Sequence, residues 1–356
     1  MLNYLNCFLL LILSFIIGCN SSENKHESIN LGAVLSLSGP AGEQGQNIRK
    51  GIELYVHEHQ ENTVKFFYED DATQPAKAVN SFQKLVSVNK VSGVIGGTWD
   101  YLGEAIFPFA TKQKIFTITA TSPEEILSSE AFHSSFVYTN SPSLKKEKDA
   151  IRKLLLLIKP SSLISIYPNL PFGTSKAEIF KELSIELGIP IKAEYAFAAE
   201  SARADAMRQA ALKAQQTKAD FGLVITDYDG LDVFTKELQR LEVTLPFVTS
   251  QHLDKAISFS KDPLRFKNIY ALYPQVKDVT FSERFKTFHQ EEPGVFAAQG
   301  YDAAHFLVEK YLAQEKPFAF DGVTGACSAD KKTVCDGVID VMVSDGQEKL
   351  RILNLN

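Results

Sequence analysis

The chain has 356 residues, 45% of them apolar and 22% charged, and its 37 Lys+Arg against 43 Asp+Glu give a formal net charge of −6. Chains beyond about 250–300 residues usually divide into more than one core, so two domains are expected. The composition is that of a globular chain, not a disordered or collagenous one, and the acidic balance without any run of four basic residues argues against a nucleic-acid partner. Residues 1–18 hold none of the charged side chains, and Cys7 to Gly18 form a 12-residue apolar run. As a helix that run would span ~18 Å, short of the ~30 Å hydrocarbon core and suited to the apolar region of a signal peptide. Its leading segment, MLNYLN, carries no Lys or Arg.

The run ends Ile16-Ile17-Gly18-Cys19, and the polar stretch NSSENKHES follows. This ending resembles the lipobox of bacterial lipoproteins. The resemblance implies removal of residues 1–18 as a signal peptide and a lipid attached to the Cys19 sulfur. The competing reading is an uncleaved apolar anchor that ends at a cysteine. Both place the body of the protein at a membrane surface outside the cytoplasm, in the periplasm or on the cell surface. Residues 19–28 then hold the lipidated cysteine and a short tether whose reach is about 15 Å.

From Ile29 onward, short β-rich runs alternate with amphipathic stretches of helical length. The runs lie at 29–37, 64–69, 92–97, 114–119 and 134–139, then at 162–167, 191–197, 221–226, 245–250 and 268–273. Between them, helices are expected near 43–60, 74–89, 101–112, 143–158, 174–187, 203–217 and 230–240. Thr73 before Gln74-Pro75 reads as a helix start, and Gly188-Ile189-Pro190 as a stop. Near-continuous apolar strands separated by helices argue for parallel sheets covered on both faces. The count of five units, a helical stretch and five more predicts two doubly wound α/β lobes. The stretch from Pro317 reads as turns and short strands.

Catalytic and phosphate-binding signatures are missing. His57-Glu58-His59 is the only histidine cluster, and its spacing turns the two rings apart on a helix, so it reads as a solvated helix end. Gly39, Gly42 and Gly45 recur every third residue, which is neither a dinucleotide fingerprint nor a P-loop. Glu69-Asp70-Asp71 closes the second strand with three carboxylates; they suit a metal or acid–base pair, but more often such a run caps a turn. No catalytic residue, metal ligand or cofactor is assigned.

Six segments then occur in a telling order: LGAVLSLSGPAGEQGQNIRKGIELYVHE (31–58), YEDDATQPAKAVNSFQKLV (68–86), SGVIGG (92–97), TITATSPEE (117–125), AAQGYDAAHFLVEKYL (297–312) and DGVTGACS (321–328). Together they resemble type I periplasmic solute-binding proteins of the branched-chain amino acid and amide group, the extracytoplasmic receptors of ABC importers. The resemblance implies an α/β fold of two doubly wound, Rossmann-like lobes joined by three crossing strands. Carried onto this chain, one lobe spans 29–140 plus 274–326 and the other 141–273 plus 327–356. A small solute would sit between the lobes, beyond the carboxyl ends of the strands.

Gly96-Gly97-Thr98-Trp99-Asp100 leaves the third strand and enters a helix, where free N–H groups and the helix dipole favour an anion. Thr119-Ala120-Thr121-Ser122-Pro123 leaves the fourth strand in the same way. In the family these turns hold a carboxylate or amide oxygen, which makes Thr98, Ala120 and Thr121 ligand-binding candidates; ordinary helix capping explains them equally well. Trp99 suits a stacking wall or simple packing. From the second lobe the resemblance implies Phe172, Tyr228 and Gln251. Amino-acid binders tend to place an acidic residue where this chain has Gln251, so Asp227, Asp229 or Asp100 must compensate, or the solute carries no ammonium.

Cys327 and Cys335 flank a turn, and outside the cytoplasm they suit a disulfide, with free thiols as the alternative. The expectation is a monomeric lipoprotein that binds a small polar solute (amino acid, amide or carboxylate), works with an ABC permease of the inner membrane, uses no cofactor and performs no covalent chemistry. A sensing or regulatory envelope lipoprotein of the same fold is the alternative, and an enzyme built on Glu69–Asp71 a distant third.

Overall fold

The computed structural model describes residues 28–355 except 60–63, 131, 199–202, 314–315 and 336. The expected signal segment, the Cys19 attachment and nearly all of the tether lie outside the described residues.

The first half of the chain builds one parallel sheet. Strands β1 (Ile29–Leu35), β2 (Val64–Asp70), β3 (Gly93–Gly96), β4 (Phe116–Thr119) and β5 (Val137–Thr139) stand in the order β2-β1-β3-β4-β5. Helices α1 (Gly42–Glu58), α2 (Pro75–Ser87), α3 (Asp100–Gln113) and the short α4 (Glu124–Leu127) make the crossovers. After α5 (Leu144–Ile158) the pattern repeats with β6 (Leu163–Pro168), α6 (Pro171–Leu187), β7 (Ile191–Phe197), α7 (Arg203–Thr217), β8 (Phe221–Val224), α8 (Tyr228–Arg240), β9 (Phe247–Thr249), α9 (Leu253–Ser260) and β10 (Ile269–Pro274). These five strands are parallel, in the order β7-β6-β8-β9-β10. Then α10 (Phe281–His289) and α11 (Ala297–Leu312) return to the first sheet, where β11 (Ala319–Asp321) and β12 (Ala326–Ser328) form a small hairpin. Finally β13 (Ile339–Ser344) and β14 (Arg351–Ile352) add antiparallel to the β10 edge of the second sheet.

Strand composition follows position in the sheet. Central β3 (GVIG) and β8 (FGLV) are buried at every residue, as a strand covered on both faces must be. The outer strands β2 and β7 carry Lys, Glu or Asp at exposed positions, and β7 alternates strictly along its first six residues. Each sheet buries apolar side chains on both faces, giving two cores per lobe. This is the doubly wound two-lobe α/β architecture expected from the sequence.

Helices α1 and α11 pack almost backbone to backbone. A Cβ on Gly51 would stand 1.9 Å from the Ala297 carbonyl oxygen, and one on Gly300 would stand 2.2 Å from that of Ile48. Two glycines facing each other's helix are what this approach requires. The GYDA and GVTG segments are joined by a local contact as well. Asp302 on α11 is buried and accepts from the Val323 and Thr324 amides at 2.8 and 2.9 Å and from Thr324 Oγ1 at 2.6 Å, tying the helix to the turn before β12.

The carboxylates at the end of β2 are turn fasteners. Asp70 accepts from the amides of Leu37, Ser38 and Ala72 and from Ser38 Oγ; Asp71 accepts from Ser36 Oγ at 2.6 Å and the Thr73 amide at 2.8 Å. Glu69 pairs with Lys84 on α2. In the histidine cluster His57 is exposed, while Glu58 and His59 are half-buried. His57 stacks on Phe288, Glu58 accepts from Tyr301 and Arg284, and His59 stacks on Tyr55.

The chain passes between sheets three times: after β5, after β10, and between Cys335 and β13. The last crossing differs from the division drawn from the sequence, which gave 327–335 to the second lobe. Thr139 on β5 donates to the Lys332 carbonyl and accepts from the Val334 amide, and Cys327, Val334 and Cys335 pack in the first lobe's core. Backbone pairing along β5 therefore holds this segment in the first lobe. Its Cys327 and Cys335 sulfurs lie 2.07 Å apart.

Candidate ligand-binding site

The carboxyl ends of the two sheets face each other across a cleft. On the first side, the turns after β1, β3 and β4 are stapled together. Gly97 takes φ +86°, a conformation open to glycine, and the chain bends sharply into α3. Thr98, fully buried, accepts from the Ser36 amide at 2.8 Å. Thr121 donates to the Gly97 carbonyl at 2.8 Å. Trp99 precedes α3, and its Nε1 donates to Gln44 Oε1 at 2.6 Å, anchoring the indole to the first turn of α1.

The second side is built from α6 and the strand ends of β8 and β9. Phe172 sits in the first turn of α6, with Lys176 one turn on; the Lys176 Nζ lies 5.2 Å from the Phe172 ring centre and pairs with Glu147 of α5. Thr226 and Asp227 follow β8, and Asp227 caps α8 by accepting from the Gly230 amide. Thr249, Ser250, Gln251 and His252 leave β9. The Thr249 and Ser250 hydroxyls are buried without a hydrogen-bond partner.

Between the two sides lies an open space of about 1140 Å³ that joins a deeper recess of about 700 Å³, both volumes including open solvent. Of the ligand-binding candidates, Thr98, Trp99, Thr121, Phe172 and Gln251 line this space. Two predicted residues do not. Ala120 packs into the first lobe's core beside Ile118, because β4 turns that side chain inward. Tyr228 begins α8 and rotates away from the cleft, its ring set edge-on to Phe259 and under the Lys255 ammonium. Its neighbours Thr226 and Asp227 take the lining position instead.

Other lining residues went unassigned in the sequence: Gln44, Glu147, Lys176, Thr249 and Phe296. Phe296 carried no sequence signal, yet it reaches the cleft from the segment before α11 with φ +71°. The one available signal for Thr249 was its place at the end of β9.

Asp100 is the dominant electrostatic feature. It lies at the first position of α3, so the helix N-terminus expected to draw an anion already carries the chain's own carboxylate. Burial in the cleft pushes its pKa up to about 7; Lys176 opposes that shift, while Glu104 and Glu147 reinforce it.

At the outer rim the two lobes touch. Gln44 Nε2 lies 3.5 Å from His252 Nε2, and Glu43 pairs with Lys255 on α9.

The family of periplasmic binding proteins matches residues 28–322 of this chain. Among solved structures, the chain is similar to the LivJ branched-chain amino acid transporter substrate-binding protein of Streptococcus pneumoniae, at 19% identity and a TM-score of 0.77 over 92% of this chain and 99% of the other. It is similar to the leucine-binding protein LivK of Thermotoga maritima, at 16% identity and 0.79 over 92% and 98%. An ABC transporter solute-binding protein of R. palustris aligns at 18% identity and 0.78 over 92% and 96%. No curated protein sequence matches.

Proposed function

The chain belongs to the periplasmic binding protein family, and from that premise we propose that it captures a small polar solute between its two lobes and delivers it to an ABC permease. The observation that carries this reading is the cleft: walls from both lobes, apolar surface at Trp99 and Phe172, and buried hydroxyls at Thr249 and Ser250 with no partner. The relatives support it by what they hold, since the Streptococcus pneumoniae protein was solved with isoleucine and the R. palustris protein with benzoate. In this reading Thr98, Trp99, Thr121, Phe172 and Gln251 contact the solute, and no covalent step occurs.

The lobes consist of residues 29–140 with 275–335, and 141–274 with 337–355. Solute contacts that exist only when both lobes are engaged favour the closed form. The protein works outside the cytoplasm, and a single chain is enough to bound the cleft, so a monomer suffices for capture. The lipobox-like ending at Cys19 supports a membrane anchor, and the adjacent sulfurs of Cys327 and Cys335 support a disulfide, consistent with an oxidising compartment.

A thermal-shift screen of the purified protein against amino acids, amides, carboxylates, amines and nucleosides tests the reading. A specific solute at 100 times its Kd should add about 2.7 kcal/mol of stability. A panel of this breadth in which nothing raises the melting temperature would refute solute capture.

A further inference from the structure

The charges of the cleft indicate which head group it accepts. Taking the cleft as a solute site, we infer that its solute presents a cationic nitrogen head, an amine or amidine, on an apolar and preferably aromatic body, and carries no free carboxylate.

Among the described residues, three carboxylates line the cleft, those of Asp100, Glu147 and Asp227, against the one ammonium of Lys176. That ammonium is 7% exposed and already paired with Glu147. Among the described residues no arginine lines the space, so nothing offers the forked donor that suits a carboxylate. The helix N-terminus that would otherwise draw an anion is filled by Asp100, which an incoming carboxylate would hold in its protonated form, forfeiting the charge that a cation would engage. A cationic nitrogen instead meets Asp100 from the first lobe and Asp227 from the second.

A second, independent observation marks the recess as a ligand site. Thr249 Oγ1 and Ser250 Oγ, in residues 1% and 6% exposed, border it with no partner; a hydroxyl both donates and accepts, so the two fit a nitrogen head rich in N–H donors without by themselves selecting it. The rings of Trp99, Phe172 and Phe197 stand around the same space and add attraction for a cation and contact for a flat apolar body. Burial raises the Asp100 pKa in the empty cleft, with Lys176 opposing and Glu104 and Glu147 reinforcing; a bound cation would ionise it and release a proton. Tyr101, Asp227 and His252 are the other titratable groups facing this space among the described residues.

The test uses the full chain and matched pairs that share a body and differ in head: benzamidine and benzoate, phenethylamine and hydrocinnamate, isoamylamine and isocaproate, with L-isoleucine as the zwitterion. The nitrogen head should win in at least one pair by about tenfold or more in Kd, the scale of a charge-assisted hydrogen bond. Calorimetry at pH 7 in two buffers of different ionisation heat should report proton release. Asp100→Asn should erase both the preference and the proton release, and Asp227→Asn should weaken the preference, which keeps the inference testable should one variant misfold. Preference for the carboxylate member or for isoleucine overturns the head-group inference while leaving solute capture intact. Silence from every probe and from the wider solute panel overturns both.

Discussion

Thr121 serves the fold and the cleft together, since its hydroxyl holds the Gly97 carbonyl while the residue lines the space between the lobes. Thr121→Ala should loosen the β3–α3 turn and remove one polar contact. A hydrogen bond of this kind contributes about 0.5–1.5 kcal/mol, so affinity for an identified solute should fall by up to about tenfold, with the far-ultraviolet circular dichroism unchanged. Wild-type affinity in that variant would remove Thr121 from the site. A second residue, His305, makes a prediction about pH. Burial, with His59 adding to it, lowers the His305 pKa to about 4, so the folded protein keeps the ring neutral while the unfolded chain protonates near 6.5. Its contribution to stability is therefore complete above about pH 6.5 and is lost as the pH falls toward 4. Asp302 opposes this from the same helix. Burial raises its pKa to about 6, so its contribution grows as the pH falls from there toward 3.8. The His305→Gln variant should lose less stability than wild type between pH 7 and 4.5, read from urea midpoints; parallel profiles would refute the assignment.

Among the elements, the contact of α1 with α11 is the least tolerant of change. Gly300→Ala places a methyl carbon within 2.2 Å of a backbone oxygen that cannot rotate away. Overpacking costs about 1–3 kcal/mol where side chains can shift, and here two helices must separate, so the loss should lie at or above the upper end. Urea denaturation measures it, and a loss below about 1 kcal/mol would show that the helices part easily. Elements were also what the sequence made most legible. Apolar runs located the ten parallel strands because burial on both faces forces that composition. Pro75 and Gly188 marked a start and a stop because φ restriction is a local property. Helix α6 begins at Pro171, three residues before its expected start, with proline in its first turn. Helix α9 and helix α10 were not foreseen. Their apolar faces are short, and the partners that cover them lie far away in sequence.

Across the whole molecule, legibility fell with sequence distance. Strand-end turns of the first lobe were readable because Gly97 and Thr98 sit next to each other. The facing side was not: which of Thr226, Asp227 and Tyr228 turns toward the cleft depends on the rotation of α8 about its axis, and periodicity does not reveal that phase. The same limit explains Cys327 and Cys335, whose lobe is decided by pairing with Thr139. The rim contact belongs to this scale. Glu43 and Lys255 are partly exposed, and such pairs contribute up to about 1 kcal/mol, so Lys255→Ala should shift the balance toward the open form by no more than about fivefold. The effect should shrink as ionic strength rises. Small-angle scattering at low and high salt would report it, and a salt-independent radius of gyration would argue against the pair as a latch.

The contact at the rim has a kinetic consequence. If a solute enters past the rim, Gln44 and Glu43 must part from His252 and Lys255, and uptake becomes a gated process with its own clock. Stopped-flow binding rates should then stop rising with solute concentration and level off at the rate at which the empty protein opens. That plateau would be the same for every solute that fits, and Lys255→Ala would raise it.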